Sequence, residues 1–317
     1  MLLLYILYLV IGLVILVAGA EYLVRGASSA ARKMGISSIV IGLTVVAFGT
    51  SAPEFVVNIL SATKGATDLA IGNIVGSNLA NILLILGIGA TIRTLRVKEG
   101  TTFKEIPFAL LAITMVALMG NDIFFEGGGI NVISRIDGII LLSFFIIFIY
   151  YTYGISKVSG EQEGIKMYSW TQSLTMFILG LAGLTIGGKL IVDNAVNIAI
   201  LGGMSEALIG LTIVAVGTSL PELATTIIAV KKGHTDLAIG NAIGSNIFNV
   251  FWVLGISSII RPLPFDAHGN IDVLFATGAT FILFITMFVH KKHTIQRWQG
   301  VTFIGLYVAY MIYAIIR

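Results

Sequence analysis

The chain has 317 residues, of which 57% are hydrophobic and only 11% charged, with a formal net charge of +3 and no cysteine. A mean hydropathy of +0.99 is more apolar surface than a soluble domain can bury, so the chain reads as a polytopic helical membrane protein. The missing cysteine excludes disulfides, thiolate chemistry and zinc–sulfur sites, and nothing in the charge pattern points to nucleic acid.

In chain order, apolar segments fall near residues 2–24, 38–62, 69–92, 105–121 and 137–154, then 172–192, 205–230, 236–260, 270–289 and 298–316. Each has about 17–25 residues, the length a hydrocarbon core requires. The run from Leu2 to Val17 has no basic flank before it and reads as a retained first span, not a removed signal peptide. Gly127-Gly128-Gly129 blurs the boundary between the fourth and fifth segments. The expected architecture is an all-α membrane protein of ten transmembrane helices: residues 1–154 carry five spans, 155–171 form a solvated linker, and 172–317 carry five more. Arg25, Arg32, Lys33, Arg93, Arg96, Lys98, Lys104, Lys157, Lys166, Lys231, Lys232, Lys291, Lys292 and Arg297 fall on one side, fourteen of nineteen basic residues. The excess of positive charge in cytoplasmic loops then puts both termini outside a cell membrane.

One stretch occurs twice. Val45-Val46-Ala47-Phe48-Gly49-Thr50-Ser51-Ala52-Pro53-Glu54 returns as Ile213-Val214-Ala215-Val216-Gly217-Thr218-Ser219-Leu220-Pro221-Glu222, an offset of 168 residues. Residues 39–55 match 207–223 at 11 of 17 positions, and 68–87 match 236–255 at 12 of 20. An odd number of spans per half inserts the second copy upside down, so the halves read as inverted repeats with broken helices at the midplane. Pro53 and Pro221 lack the N–H that a helix would direct at Gly49 and Gly217, which forces a kink or a break and frees nearby carbonyls. An ionisable residue inside a span is by default a functional one, and Glu54 and Glu222 occupy matching places.

Around them lie Thr50, Ser51, Thr218 and Ser219. Asn73, Ser77 and Asn81 are spaced by four on one helix face, and Asn241, Ser245 and Asn249 repeat that stripe. The set is all oxygen, with no imidazole or thiolate, which suits a hard cation such as Ca2+ or Na+. His234, His268, His290 and His293 fall in loops or at span ends, away from it. Two facing glutamates in a low-dielectric site repel, and one Ca2+, two Na+ or two protons would balance them. That favours obligatory exchange over uniport. A channel is permitted by the repeats alone, but a tight two-carboxylate site favours stepwise release. A membrane hydrolase using Thr50 or Ser51 with Glu54 lacks a histidine or lysine to activate the nucleophile, so no enzyme is expected. Asn78 and Asn246 lie off the polar stripe and fit either interhelical hydrogen bonding or support of the site. Gly42, Gly72, Gly76, Gly210, Gly240 and Gly244 read as helix-contact residues. Glu21, Lys189 and Asp193 read as charges that snorkel at span ends.

GTSAPE and GTSLPE, each followed by GN-x-x-GSN and a further asparagine, resemble the two alpha repeats of the cation/Ca2+ exchanger superfamily, with prokaryotic Na+/Ca2+ exchangers the nearest match. The resemblance implies Ca2+ held by Glu54, Glu222, Thr50 and Thr218. It also implies Na+ sites that share the glutamates and add Ser51, Ser77, Ser219, Ser245 and the carbonyls of Ala47 and Ala215. Asn81 and Asn249 complete the expected set. Some relatives, the K+-dependent exchangers among them, place Asp where this chain has Asn249, so the pattern resembles the K+-independent type. The expected function is Na+/Ca2+ antiport by alternating access, the first and sixth helices sliding across the rest. Ca2+/H+ exchange through the same glutamates is the alternative. Expected partners are the lipid bilayer and the transported Na+ and Ca2+, with no prosthetic group and no obligate protein partner.

Overall fold

The computed structural model describes residues 1–127, 130–156, 166–203, 215–265 and 267–316. The first half comprises α1 (Leu2–Met34), α2 (Ser38–Thr50), α3 (Ala52–Lys64), α4 (Thr67–Ile92), α5 (Thr101–Met119), a short α6 (Asp122–Glu126) and α7 (Arg135–Ser156). The second comprises α8 (Trp170–Leu201), α9 (Ala215–Thr218), α10 (Leu220–Lys231), α11 (Thr235–Ile260), α12 (Ala267–Thr286) and α13 (Arg297–Ile316). Among the described residues, eight helices are long and apolar enough to cross a membrane, nine when the bent pair α2–α3 counts as one span. Of the expected segment at 205–230, residues 204–214 lie outside the described residues, and α9 with α10 are the described remainder. Most of the expected linker, 157–165, also lies outside them.

α1 and α8 are 33 and 32 residues long, well beyond the expected 2–24 and 172–192. Apolarity ends near Val24, but the following Ala- and Ser-rich stretch still favours helix, and α1 stops only at Gly35, whose φ of 67° supplies the left-handed C-cap. α8 starts at Trp170, inside the expected linker, where Ser169 and Gln172 form a reciprocal capping box, and it runs on to Leu201. At about 1.5 Å per residue each helix is roughly 50 Å long, so it must cross obliquely or project past a core of about 30 Å. The two pack together through glycines. A methyl group on Gly19 would stand 2.9 Å from the carbonyl oxygen of Gly180, and one on Gly187 would stand 2.7 Å from that of Gly12. Backbones this close need small residues. Ser29 and Ser173 bridge the same pair at 2.8 Å.

The core is built on α4 and α11. In the apolar window of each, 78% of residues are buried, against 17% for α1. These are the helices of the second repeated block, and they cross in the middle of the molecule. Gly240 and Gly244 of α11 lie against Ile39, Gly42, Leu43 and Ala47 of α2, so Gly42, Gly240 and Gly244 are contact glycines. A methyl group on Gly72 or Gly76 would meet nothing within 4 Å among the described residues outside its own helix backbone, and Gly210 lies outside the described residues.

Four two-residue strands tie the loop ends together: β1 (Leu95–Arg96), β2 (Val132–Ile133), β3 (Leu263–Pro264) and β4 (Thr294–Ile295). β1 pairs antiparallel with β4, and β2 with β3, so each sheet takes one strand from each half. β3 lies 168 residues after β1, the offset of the sequence repeat. Arg297 donates to the Ile92 carbonyl at 3.4 Å at one sheet, and Arg135 to the Ile259 carbonyl at 3.1 Å at the other. The basic loops around Arg93, Arg96, Lys291 and Arg297 thus meet at one end, lining a cavity of about 660 Å³. Arg135 and Arg261 lie beside the other sheet.

Candidate cation site

The first helix break lies at Ser51, between α2 and α3, whose axes differ by 47°. Ser51 has φ −83°, ψ 8°, and its counterpart Ser219 has φ −85°, ψ 6°. Both sit in the sparsely populated bridge region between two helices. Pro53 and Pro221 fall in the first turn of α3 and α10, where a missing N–H is tolerated, so the sequence both breaks the helix and restarts it. Glu54 and Glu222 follow in that same first turn, where the helix N-terminus favours negative charge.

The break points face each other across the molecular centre, and their hydrogen bonds are exchanged between halves. Glu54 Oε1 accepts from Ser77 of its own half at 3.3 Å and from Ser219 of the other at 3.5 Å. Glu222 Oε1 accepts from Ser245 at 3.3 Å and from Ser51 at 3.0 Å. Thr50 donates to Asn241 Oδ1 at 3.1 Å, and Thr218 to Asn73 Oδ1 at 3.3 Å. One turn further along α4 and α11, four amides interlock. Asn78 donates to the Asn246 carbonyl at 3.4 Å and Asn246 to the Asn78 carbonyl at 3.3 Å. Asn81 donates to Asn246 Oδ1 at 2.9 Å and Asn249 to Asn78 Oδ1 at 3.1 Å. Asn78 and Asn246 are therefore interhelical hydrogen-bonding residues that also orient Asn81 and Asn249.

Both glutamates are 1% exposed. Among the described residues, neither has a basic partner: the ion pairs are Arg25–Glu21, Lys232–Glu21 and Lys98–Asp236, all elsewhere. Glu21 is thus a paired charge that joins α1 to the end of α10, beyond simple snorkelling. Four buried oxygens at the centre receive no hydrogen bond: Glu54 Oε2, Glu222 Oε2, Asn81 Oδ1 and Asn249 Oδ1. Buried acceptors without donors are rare and costly. Two carboxylate and two amide oxygens, with hydroxyls around them, are instead what a hard cation takes as ligands.

Of the twelve expected site residues, Glu54, Glu222, Thr50, Thr218, Ser51, Ser219, Ser77, Ser245, Asn81 and Asn249 are joined through these contacts. The Ala47 carbonyl accepts from Ser51 N at 2.9 Å and from Thr50 Oγ1 at 3.4 Å. Ala215 opens α9. The sequence reading missed Asn58, which is fully buried, donates to the Ala70 carbonyl at 3.0 Å and accepts from Asn73 at 2.7 Å. Its signal was present: Thr50, Glu54 and Asn58 run at intervals of four.

A family model for the sodium/calcium exchanger protein matches residues 4–154 and 172–316. The chain belongs to this family. It is 37% identical over 316 residues to the putative antiporter CaxA of Alkalimonas amylolytica, covering 96% of each chain. It is 31% identical over 342 residues to the sodium/calcium exchanger MaX1 of Methanosarcina acetivorans, covering 96% of this chain and 97% of the relative. Its fold matches that of the sodium-calcium exchanger NCX_Mj, solved after a soak in 10 mM Na+ and zero Ca2+, with a TM-score of 0.86 and 34% identity over 98% of this chain and 99% of the other. The exchanger is thus a multi-pass membrane protein of a cation-exchange family, helical apart from four short strands among the described residues.

Proposed function

We propose that this exchanger is a Na+/Ca2+ antiporter in which Glu54 and Glu222 hold one Ca2+ or a set of Na+ at a single central site. The facing pair of buried glutamates, one from each half and without a basic partner among the described residues, carries this reading. Thr50 and Thr218 complete the Ca2+ ligands. Ser51, Ser77, Ser219 and Ser245 serve Na+, Asn81 and Asn249 contribute their donor-free oxygens, and the carbonyls of Ala47 and Ala215 complete the Na+ ligands. Cargo supplies the charge that the protein lacks there. A doubly negative empty site is costly in a low dielectric, so reorientation requires a bound ion and flux is coupled.

The architecture that serves this is ten spans in two inverted repeats of five, with 155–171 as the linker. The exchanged hydrogen bonds and the sheets shared between halves support it. α1 and α8, joined to each other through glycines, form a unit that slides across the rest to expose the site to either side. Both termini lie outside the cell. Cysteines placed at Ile130 and Lys292 in this cysteine-free chain should then label from opposite faces, and labelling of both by an impermeant reagent from one face would contradict the inversion.

Labelled Ca2+ uptake into proteoliposomes tests the coupling. Uptake should follow an outward Na+ gradient and need no K+. Uptake driven by a pH gradient without Na+ would move the assignment to Ca2+/H+ exchange, and flux without any trans ion would make the protein a channel.

A further inference from the structure

This inference rests on the proposed slide of α1 and α8 and concerns what holds that pair against the rest of the molecule. Glu21 of α1 meets Lys232, just past the end of α10, at 2.6 Å. The same carboxylate oxygen meets Arg25, one turn along α1, at 2.5 Å. Glu21 and Lys232 are both half-buried. α10 carries Glu222 in its first turn, and α1 packs along it. The ion pair therefore ties the mobile unit to a helix of the site. It does so at the end of β1 and β4, where Gly233 lies beside Arg93.

The offset of 168 residues that relates the ligands also relates these charges. It matches Glu21 with Lys189, Arg25 with Asp193, and Lys232 with Lys64. Lys64 lies at the opposite end, beside β3, since its neighbour Gly65 lies against Arg261. The order of charge is reversed: acid then base on α1, base then acid on α8. Among the described residues, Lys64, Lys189 and Asp193 make no ion pair. Because the halves are inverted copies, the opposite access state has them exchange arrangements. That exchange parts Glu21 from Lys232 and brings Lys64 toward Lys189, where like charges repel. Asp193 stands one turn away, in the place of Arg25, the residue that bonds along its own helix.

We propose that Glu21 and Lys232 form a one-sided latch that favours the access state closed at the β1–β4 end. α1, clamped to the tail of α10, shuts the path between the two helices there, so Ca2+ reaches the site from the β2–β3 end. Opening at the β1–β4 end breaks an ion pair and gains none. The ligands are matched between the halves, but the two access states are not equal in energy.

Full-length protein reconstituted in a single orientation tests this, with the Ca2+ KM measured at each face during Na+-driven exchange. A face's apparent KM varies inversely with the population of the state open to it, so the ratio of the two KM values reads the balance. Glu21→Gln and Lys232→Gln should each lower the KM at the β1–β4 face relative to the other by about three-fold, the scale of a half-exposed ion pair. Lys232→Arg keeps the charge and should keep the ratio. Lys189→Glu combined with Asp193→Arg copies the α1 motif onto α8, builds a latch with Lys64, and should move the ratio the same way. A ratio unmoved in both glutamine variants, even with a lower melting temperature, would overturn the latch. So would a ratio that the α8 double variant moves the opposite way. Glu54→Gln run in parallel separates the two claims. If it keeps flux, the exchange site itself is wrong; if it abolishes flux while the glutamine variants keep the wild-type ratio, the latch alone fails.

Discussion

The first and second halves of this exchanger carry the same proposed ligands on partly different scaffolds. Thr50, Ser51, Glu54, Ser77 and Asn81 have chemically identical counterparts at Thr218, Ser219, Glu222, Ser245 and Asn249. Asn73 and Asn78 are also matched, by Asn241 and Asn246, but the residues behind them are not. Asn58 gives way to Thr226. On one flank of the centre, Phe55 stacks on Trp252 at 4.3 Å, and Phe48 lies 5.1 Å from the same indole. The positions equivalent to Phe48, Phe55 and Trp252 are Val216, Leu223 and Leu84. A cation needs only the oxygens, so chemistry constrains the ligands equally in both halves. Packing differs around each break, and there the repeats have diverged.

If this comparison is right, matched substitutions at ligand positions have matched effects, and matched substitutions at scaffold positions do not. The largest effect belongs to the glutamates. Glu54→Gln and Glu222→Gln each remove one of two balancing charges and should both lower Ca2+ flux by about a hundred-fold or more, with the melting temperature preserved. A large difference between the two would break the symmetry of the ligand set.

The next effect belongs to α1 and α8, the pair proposed to slide. Gly19 and Gly187 are repeat counterparts, each pressed against the other helix's backbone. Gly19→Val and Gly187→Val should slow exchange about ten-fold while equilibrium Ca2+ binding persists, because they touch the moving interface and not the site. Loss of binding in parallel with flux would place that interface inside the site.

A change of charge without change of size comes third. Asn249→Asp, or its mirror Asn81→Asp, adds a third carboxylate that needs another cation or proton to balance it. Ca2+ uptake should become pH-dependent and weaker in acid, by about three- to ten-fold across two pH units, where wild type does not need the extra charge. A profile unchanged by either aspartate would put these amides outside the site.

The smallest effect concerns the aromatic flank. Trp252→Leu copies Leu84 and removes a stacked pair worth about 0.5–1.5 kcal/mol, so the melting temperature should fall by a few degrees with Ca2+ KM unchanged. A change in KM would mean that the stack also shapes the site.

Much of this was legible in the sequence because its strongest signals are chemical. Proline beside glutamate within an apolar run, repeated at a fixed offset, has few structural meanings, and ten of the twelve expected ligands meet through the contacts described. Helix ends were less legible. α1 and α8 outrun their apolar segments because alanine, serine and a capping box extend a helix where hydropathy has stopped. The shared sheets are two residues per strand, too short for any alternation to be read. Asn58 was overlooked because a lone amide in an apolar segment looks like a helix contact; only its partner Asn73 reveals its direction. Asn78 and Asn246 were ambiguous for the same reason, since spacing gives a face and not a partner.

Equilibrium binding of labelled Ca2+ to the purified exchanger, titrated with Na+, tests the central claim most directly. The account predicts one Ca2+ per chain, displaced competitively by Na+ and not by K+, and absent in Glu54→Gln and Glu222→Gln. Ca2+ binding that survives in either variant, or that Na+ does not displace, would contradict a single site shared by both ions.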